Sequence, residues 1–503
     1  MSSELLTTKE MKLADELAIA AGISGAELME QAGRRVAEVV LDSFLEQFDI
    51  LILCGPGNNG GDGFVAARRL ADDDCSVHVL LHGSVDSLSG DAREKANLWD
   101  GSTEKLTSSG LEEFLSKRTR KDLVVIDALF GAGLNRPLEG DLAKCVNLLN
   151  MSDFPVVSVD VPSGMCGDSG MILGTAVVAD LTVTFFRLKL GHLLYPGKEL
   201  CGQLKLTGIG IPSAVLQSIQ PKIVSNEACN WDADFPRIDI AGHKYSRGHA
   251  VVVSGPAHRT GAARLGAKGA LTSGAGLVTV FSPEDAVIVN ACHLTAIMLE
   301  PFGTTEDLGL LLQDKRKNAV LIGPGAGVNE QTRANVAVCL ETQANVVLDA
   351  DALTCFEGHK DTLINLIRNK SSGAVVLTPH DGEYKRLFGS DDSISKVDKA
   401  ISAAKLSGAV IVLKGPDTVI AAPDGSTAIN HNASPWLATA GSGDVLAGII
   451  TSLLAQGMEG FDAACAGVWI HGEAGRLFGP GLIAEDIPDL IPEVLDVILN
   501  HED

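Results

Sequence analysis

Aromatic residues are scarce in this 503-residue sequence, 4% in all, with four Trp and three Tyr. Basic residues are scarce too: 40 Lys and Arg stand against 64 Asp and Glu, a formal charge of −24. Nucleic acid is held by clustered Lys and Arg, and no basic block occurs, so a general nucleic-acid binder is not expected. An anionic ligand then has to be gripped locally, by backbone amides and helix N-termini. Long apolar runs are missing as well. No stretch approaches the ~20 residues of a membrane span, although the mean hydropathy is +0.20. Met1 to Glu10 is charged and lacks the apolar core of a secretory signal. A soluble, cytoplasmic protein with no membrane contact is the expectation. Ten cysteines are scattered without a C-x-x-C pair, a pattern of reduced, buried thiols rather than a disulfide framework. Walker A, HExxH and GxSxG sequences do not occur, which removes P-loop, zinc-protease and α/β-hydrolase chemistry.

Glycine is abundant, with 54 residues set among short runs of Val, Ile and Leu. Thr7 or Thr8 is placed to cap a helix over Lys9 to Ala21 that Gly22 closes, and Ser24-Gly25-Ala26-Glu27 spells a capping box for a second. Strand-like runs follow at Asp49 to Gly55, Ser76 to His82, Asp122 to Ala128 and Val156 to Val161. Alternating with helical or Gly-rich stretches, they read as a doubly wound α/β domain. Between Ile211 and Asp239 the pattern fades into a polar, Pro-containing passage. A second series then begins at His249, Gly276, Ala319, Asn345, Ala374 and Ala409. With no internal repeat, the expectation is two different domains, residues 1–218 and 225–503.

Gly55-Pro56-Gly57-Asn58-Asn59-Gly60-Gly61-Asp62-Gly63 follows a strand and opens a helix. It satisfies G-x-G-x-x-G, and Asp72 to Asp74 lie at about the right distance for a ribose contact, so a dehydrogenase has to be weighed. Against it, the Asn-Asn-Gly-Gly-Asp core sets three polar side chains where a plain dinucleotide turn needs none. Glycines let the backbone approach a phosphate, and amide or carboxylate oxygens suit a hydroxyl or a hard cation. A structural turn is the plainer alternative. Asp127, the loop from Gly131 to Pro137, and Asp160-Val161-Pro162-Ser163-Gly164 also end strands, where ligands of parallel sheets bind. One such Asp is commonly a helix cap; three loops in series read as a site.

In the second half, ATAGSGDVLAG from Ala438 to Gly448 is a Gly-rich turn opening an apolar helix. Its free amides can cradle a phosphoryl group, with Asp444 placed as a base. Lys414-Gly415-Pro416-Asp417-Thr418 offers backbone and hydroxyl contacts to a nucleotide. Gly323 to Gly327, Asp349 to Asp351 and Thr378 to Glu383 add polar groups to that edge, though His380 alone is more often structural than a ligand.

The first half resembles the NAD(P)H-hydrate epimerases, in Met11, Asp15, Leu28-Met29-Glu30, Ala32-Gly33, GPGNNGGDGFVAARRL, DALFGAGLNRP, VDVPSG and TVTFFRLKLGHLLYPG. The resemblance implies that Asn58, Asn59, Gly60, Gly61, Asp62, Gly131, Ala132, Gly133, Leu134, Asn135, Arg136, Pro137 and Asp160 contact the hydrated cofactor. It implies a potassium ion near Asn59, Asp127 and Ser163, an all-oxygen set suited to a hard cation. From about His243 the chain resembles the ADP-dependent NAD(P)H-hydrate dehydratases of the ribokinase-like superfamily, in HKYSRGHAVVVSG, TGAARLGAKGALTSGAGLVTV, VLIGPGAG, LDADAL, LTPHDGE, VLKG and GSGDVLAG. Ala262, Gly325, His380 and Asp444 would touch the hydrate there, and Lys414, Gly415, Pro416, Asp417, Thr418 and Gly443 the adenine nucleotide. Met165-Cys166 and Pro435-Trp436-Leu437 depart from the two patterns.

Together the resemblances imply a Rossmann-like doubly wound domain followed by a ribokinase-like α/β domain. They imply a bifunctional repair enzyme for NADHX and NADPHX, the reduced cofactors hydrated at C6 of the nicotinamide ring. Asp160 or Asp127 would manage protons as the R and S epimers interconvert. Asp444 would activate the hydroxyl of the S epimer toward ADP, giving NAD(P)H, AMP and phosphate. Mg2+ with ADP is implied by phosphoryl transfer, and a homo-oligomer is expected. A ribokinase-type kinase leaving a stable phosphoester, or a first domain that only binds, are the other readings.

Overall fold

The computed structural model describes residues 3–44, 49–237, 239–391 and 394–500. They divide into two compact units, with the boundary in the chain between Ile223 and Val224. The first is built on seven strands: β1 (Asp49–Cys54), β2 (Ser76–Leu81), β3 (Thr103–Lys105), β4 (Leu123–Ala128), β5 (Val156–Val159), β6 (Leu181–Phe185) and β7 (Gln203–Thr207). Their order is 3-2-1-4-5-6-7 with every neighbouring pair parallel. The winding reverses between β1 and β4, the switch point at which such sheets bind ligands. Alternation along these strands fills both faces. Ile50, Ile52, Val124 and Ile126 enter one apolar cluster, and Leu51, Leu53, Leu123 and Val125 enter the other. That two-sided burial is why the runs are almost wholly apolar.

Thr7 caps a helix over Thr8–Ala20 and closes a full capping box with Glu10. Ser24 caps the next, Gly25–Ser43, through the Glu27 amide, but the reciprocal bond from Glu27 is not made, so only half of the expected box forms. After β1 the chain turns into a helix over Asn58–Asp72. Glycine is required twice here: a Cβ on Gly55 would overlap the carbonyl oxygen of Leu129, and one on Gly60 that of Gly55. Asp72 to Asp74 are exposed at the far end of this helix, ~20 Å from the turn at 1.5 Å per residue. A ribose contact by those residues is thereby ruled out.

The second unit has a ten-stranded sheet of β8 (Ile223–Ser225), β9 (His249–Val253), β10 (Leu277–Pro283), β11 (Met298–Phe302), β12 (Ala319–Ile322), β13 (Asn345–Leu348), β14 (Val375–Leu377), β15 (Val410–Leu413), β16 (Val419–Ala421) and β17 (Thr427–Ile429). The order is 8-17-16-15-14-13-12-9-10-11. Pairing is parallel from β11 to β15 and antiparallel through β15, β16 and β17. Helices Thr260–Thr272 and Ser442–Ala455 pack closely because Gly266, Gly269 and Gly448 carry no side chain where they touch. All ten cysteines are free, but Cys229 and Cys292 are exposed and Cys75 and Cys166 half-buried, against the expectation of burial. Among the described residues no helix is long and apolar enough to cross a membrane.

Candidate active sites

In the first unit, the carboxyl ends of the central strands open onto a cavity of about 800 Å³. Asn58, Asn59, Asp62, Gly131 to Arg136 and Asp160 line it, while Gly60, Gly61, Pro137, Asp127 and Ser163 do not. Gly60 and Gly61 are packing residues, the latter against Met29. The helix at Asn58 starts from Gly57, which supplies no capping side chain, so its first amides are available to an anion. The side-chain nitrogen of Asn59 is buried without a partner.

Asp160 follows β5 with φ +65°, a left-handed conformation that Asp tolerates better than most residues. Its Oδ1 accepts from Lys189 Nζ at 2.5 Å and Thr184 Oγ1 at 3.3 Å, and its Oδ2 from the Ala132 amide at 3.0 Å. Burial opposes ionisation, but the Lys189 ammonium and the Ala132 amide outweigh it and hold the Asp160 pKa below the ordinary carboxylate value. Lys189 is itself fully buried and also donates to Thr184 Oγ1 at 2.9 Å. His192 accepts at Nδ1 from the Lys189 amide, which leaves Nε2 to donate to the Asp160 carbonyl at 2.9 Å. Burial pushes that imidazole down to about 4, so it is neutral. Asp15 and Asp62 behave oppositely to Asp160. Burial pushes Asp15 up to about 6, and burial with the nearby Asp160 and Asp15 charges raises Asp62 well above the ordinary carboxylate value.

Asp127 lies wholly buried beneath this cavity. Its oxygens accept from Ser163 Oγ at 2.6 Å, the Ser163 amide at 2.8 Å, Ser158 Oγ at 2.9 Å and the Leu129 amide at 3.3 Å. Burial raises its pKa against those donors. Every named partner is neutral, so a buried carboxylate lacks a counter-charge, and the oxygens of Asp127, Ser163 and Asn59 suit a monovalent hard cation.

In the second unit the helix over Ser442–Ala455 begins at Gly441, φ +90°, again without a capping side chain. Asp444 stands on its first turn. Burial, then the charge of Asp349, push its pKa up to about 7, with Lys414 opposing. Lys414 Nζ donates to Asp349 Oδ1 at 2.7 Å and lies 4.0 Å from Glu383 Oε2. Burial disfavours the Lys414 ammonium, yet Asp349 and Glu383 more than restore it and raise its pKa. Lys414 also lies 3.4 Å from where Gly443 would carry a Cβ, and pairs through its backbone with His380. His380 caps the helix over Asp381–Phe388, its Nδ1 accepting from the Gly382 amide at 3.0 Å. A Cβ on Gly325, φ +69°, would meet the Arg259 carbonyl oxygen at 2.5 Å and the Ala262 methyl at 3.5 Å, and the Gly327 amide donates to Asp351 at 2.8 Å. Asp417 is engaged by Lys396 at 2.5 Å, and Thr418 closes its turn onto Gly415. These two are thus satisfied within the protein, whereas His380, Lys414, Gly443 and Asp444 come together. Asp349 and Glu383 were not singled out individually from the sequence, nor was Lys189; a lone Lys inside the apolar run FRLKLGHLL is the signal that could have marked it.

The geometry defines two α/β ligand-binding units, the second with the anion-cradling helix start and adjacent carboxyl of a phosphoryl-transfer site. The family model described as YjeF-related protein N-terminus matches residues 25–191, and that described as NAD(P)H-hydrate dehydratase matches residues 250–491. The bifunctional NAD(P)H-hydrate repair enzyme Nnr of Thermofilum pendens is 37% identical, over 97% of this chain and 95% of the relative. That of Moorella thermoacetica is 37% identical over 98% and 96%. A solved ADP/ATP-dependent NAD(P)H-hydrate dehydratase from Bacillus subtilis, co-crystallised with ATP and Mg2+, is 27% identical. It covers 55% of this chain and 98% of its own, with a TM-score of 0.48. The chain belongs to the family of bifunctional NAD(P)H-hydrate repair enzymes.

Proposed function

We propose that this chain restores NADHX and NADPHX to NADH and NADPH, with residues 1–218 epimerising C6 and residues 225–503 dehydrating the S epimer at the expense of ADP. The single observation that carries the reading is the placement of Asp444. Its carboxyl is poised near neutrality on the first turn of an uncapped helix, within the field of Lys414 and Asp349. A base with a pKa near working pH draws a proton efficiently, and the amides of Gly441 to Gly443 can stabilise a transferring phosphoryl group.

In the first site the ring-nitrogen lone pair expels the C6 hydroxyl as water, and Asp160, kept ionised by Lys189, takes the proton of the water that adds back to C6. Asn58 to Asp62 and the 131–137 loop hold the rest of the dinucleotide. Asn59, Asp127 and Ser163 would hold K+. When bound, the ion supplies the positive charge that Asp127 lacks and fixes the loop after β4.

In the second site Asp444 takes the hydroxyl proton as that oxygen attacks the β-phosphorus of ADP, and AMP leaves. Phosphate is a far better leaving group than hydroxide; its departure and loss of a C5 proton restore the C5–C6 double bond. Ala262, Gly325 and His380 would border the hydrate, and the 414–418 turn with Gly443 the nucleotide. Among the described residues no group of three His, Cys, Asp or Glu is arranged to hold a metal. Mg2+ would enter with the nucleotide phosphates, since that ion commonly uses few protein carboxylates. Incubation of the S epimer of NADHX with ADP and Mg2+ should yield NADH, AMP and phosphate in equal amounts. A stable phosphorylated hydrate would refute dehydration and identify a kinase.

A further inference from the structure

Four carboxyl groups line the epimerase cavity: Asp15 from the first helix, Asp62 from the helix after β1, Asp91 from the short helix Gly90–Asn97, and Asp160 from the end of β5. Among the described residues lining it, Lys189 is the one buried cation. Its three donors go to Asp160 at 2.5 Å, Thr184 at 2.9 Å and the Phe185 carbonyl at 3.4 Å, and none reaches Asp15 or Asp62. A carboxyl removed from water without a counter-charge keeps its proton, and the upward shifts at Asp15 and Asp62 agree with this. Asp15, Asp62 and Asp160 therefore set two neutral acids against one ionised carboxylate in the same cavity. Opposed environments of this kind separate an acid from a base in one site. Asp62 is 9% exposed, whereas Asp15 is only half-buried and can recover a proton from water between turnovers.

We propose, on the basis of the epimerase reading above, that Asp15 is a further catalytic residue, the acid that works against Asp160 from a different wall of the cavity. The Asp15 proton passes to the C6 hydroxyl, and the C6–O bond breaks with its electron pair on oxygen. Water departs as the ring-nitrogen lone pair forms the N1–C6 iminium. A second water adds to the other face and gives its proton to Asp160. Asp160 then releases that proton to solvent, and Asp15 takes one back. Lys189 is a positioning residue that keeps Asp160 ready to accept.

The test uses the full chain without ADP, resolved S epimer of NADHX and water enriched in ¹⁸O, followed by chromatography and mass spectrometry. Wild type should place solvent oxygen at C6 with each inversion. D15N should lower kcat for epimerisation at least about 100-fold with little change in KM, and D15E should recover part of it. ADP-dependent dehydration of the S epimer by D15N should match wild type, which shows that the chain is intact. Epimerisation by D15N within about twofold of wild type, D15E as slow as D15N, or retention of the original oxygen would each overturn the proposal. Wild type that fails to accelerate inversion at all would instead overturn the epimerase reading beneath it.

Discussion

Replacing Asp444 by Asn should make the dehydratase unit more stable and inactive at once. The folded-state pKa of about 7 lies above the ordinary value of 3.8. Between those pH values the folded chain keeps a proton that the unfolded chain has released. Stability contributed by this group therefore falls as pH rises from about 4 to 7, and the full cost is in force above 7. About three units at 1.36 kcal/mol each amount to about 4 kcal/mol, which water access to the half-buried carboxyl reduces to roughly 2 kcal/mol. Asn keeps the shape and removes the charge. In a unit of this size the gain corresponds to a rise of about 4 °C in Tm, measurable by scanning calorimetry of the full chain at pH 8. The gain should shrink below pH 7 and vanish toward pH 4. ADP-dependent formation of NADH should fall about 10³-fold in the variant. Unchanged Tm at pH 8, a gain independent of pH, or retained activity would refute the reasoning.

Lys189→Met removes the counter-charge of Asp160; loss of one partner of a buried pair costs about 3–5 kcal/mol. Epimer-resolved chromatography should show epimerisation lost and dehydration of the S epimer kept. Gly60→Ala should lower the unfolding temperature of the first unit, because its Cβ meets the Gly55 carbonyl, whereas Gly57→Ala, with nothing within 4 Å, should unfold as wild type does. Exchange of K+ for Li+ should slow epimerisation and leave dehydration untouched; equal rates in both salts would contradict the cation role of Asn59, Asp127 and Ser163. Below pH 7 the wild-type dehydratase rate should fall about tenfold per unit as Asp444 takes up its proton, and a flat profile would exclude it as the base.

Strands β1, β2, β4 and β5 were legible because burial on both faces of the sheet makes them short runs dominated by Val, Ile and Leu. β11 was not, since MLEPF carries Glu300 and Pro301 on a partly exposed edge, and β16 and β17 are too short to announce themselves. The Gly-rich turns were legible as chemistry-bearing loops, but spacing alone could not say which glycines face a ligand. Gly55 and Gly60 answer to carbonyl oxygens, and Gly61 to Met29. The Asp160–Lys189 pair spans 29 residues and exists only through tertiary packing. Asp72 to Asp74 look well placed on paper, but the intervening helix carries them away from the turn.

The most direct measurement gives purified protein both epimers of NADHX with ADP, Mg2+ and K+, and follows dihydronicotinamide absorbance together with the epimers by chromatography. Two working sites in one chain would consume R and S to completion, at an R rate far above spontaneous inversion. Persistence of R after S is gone would contradict the bifunctional assignment.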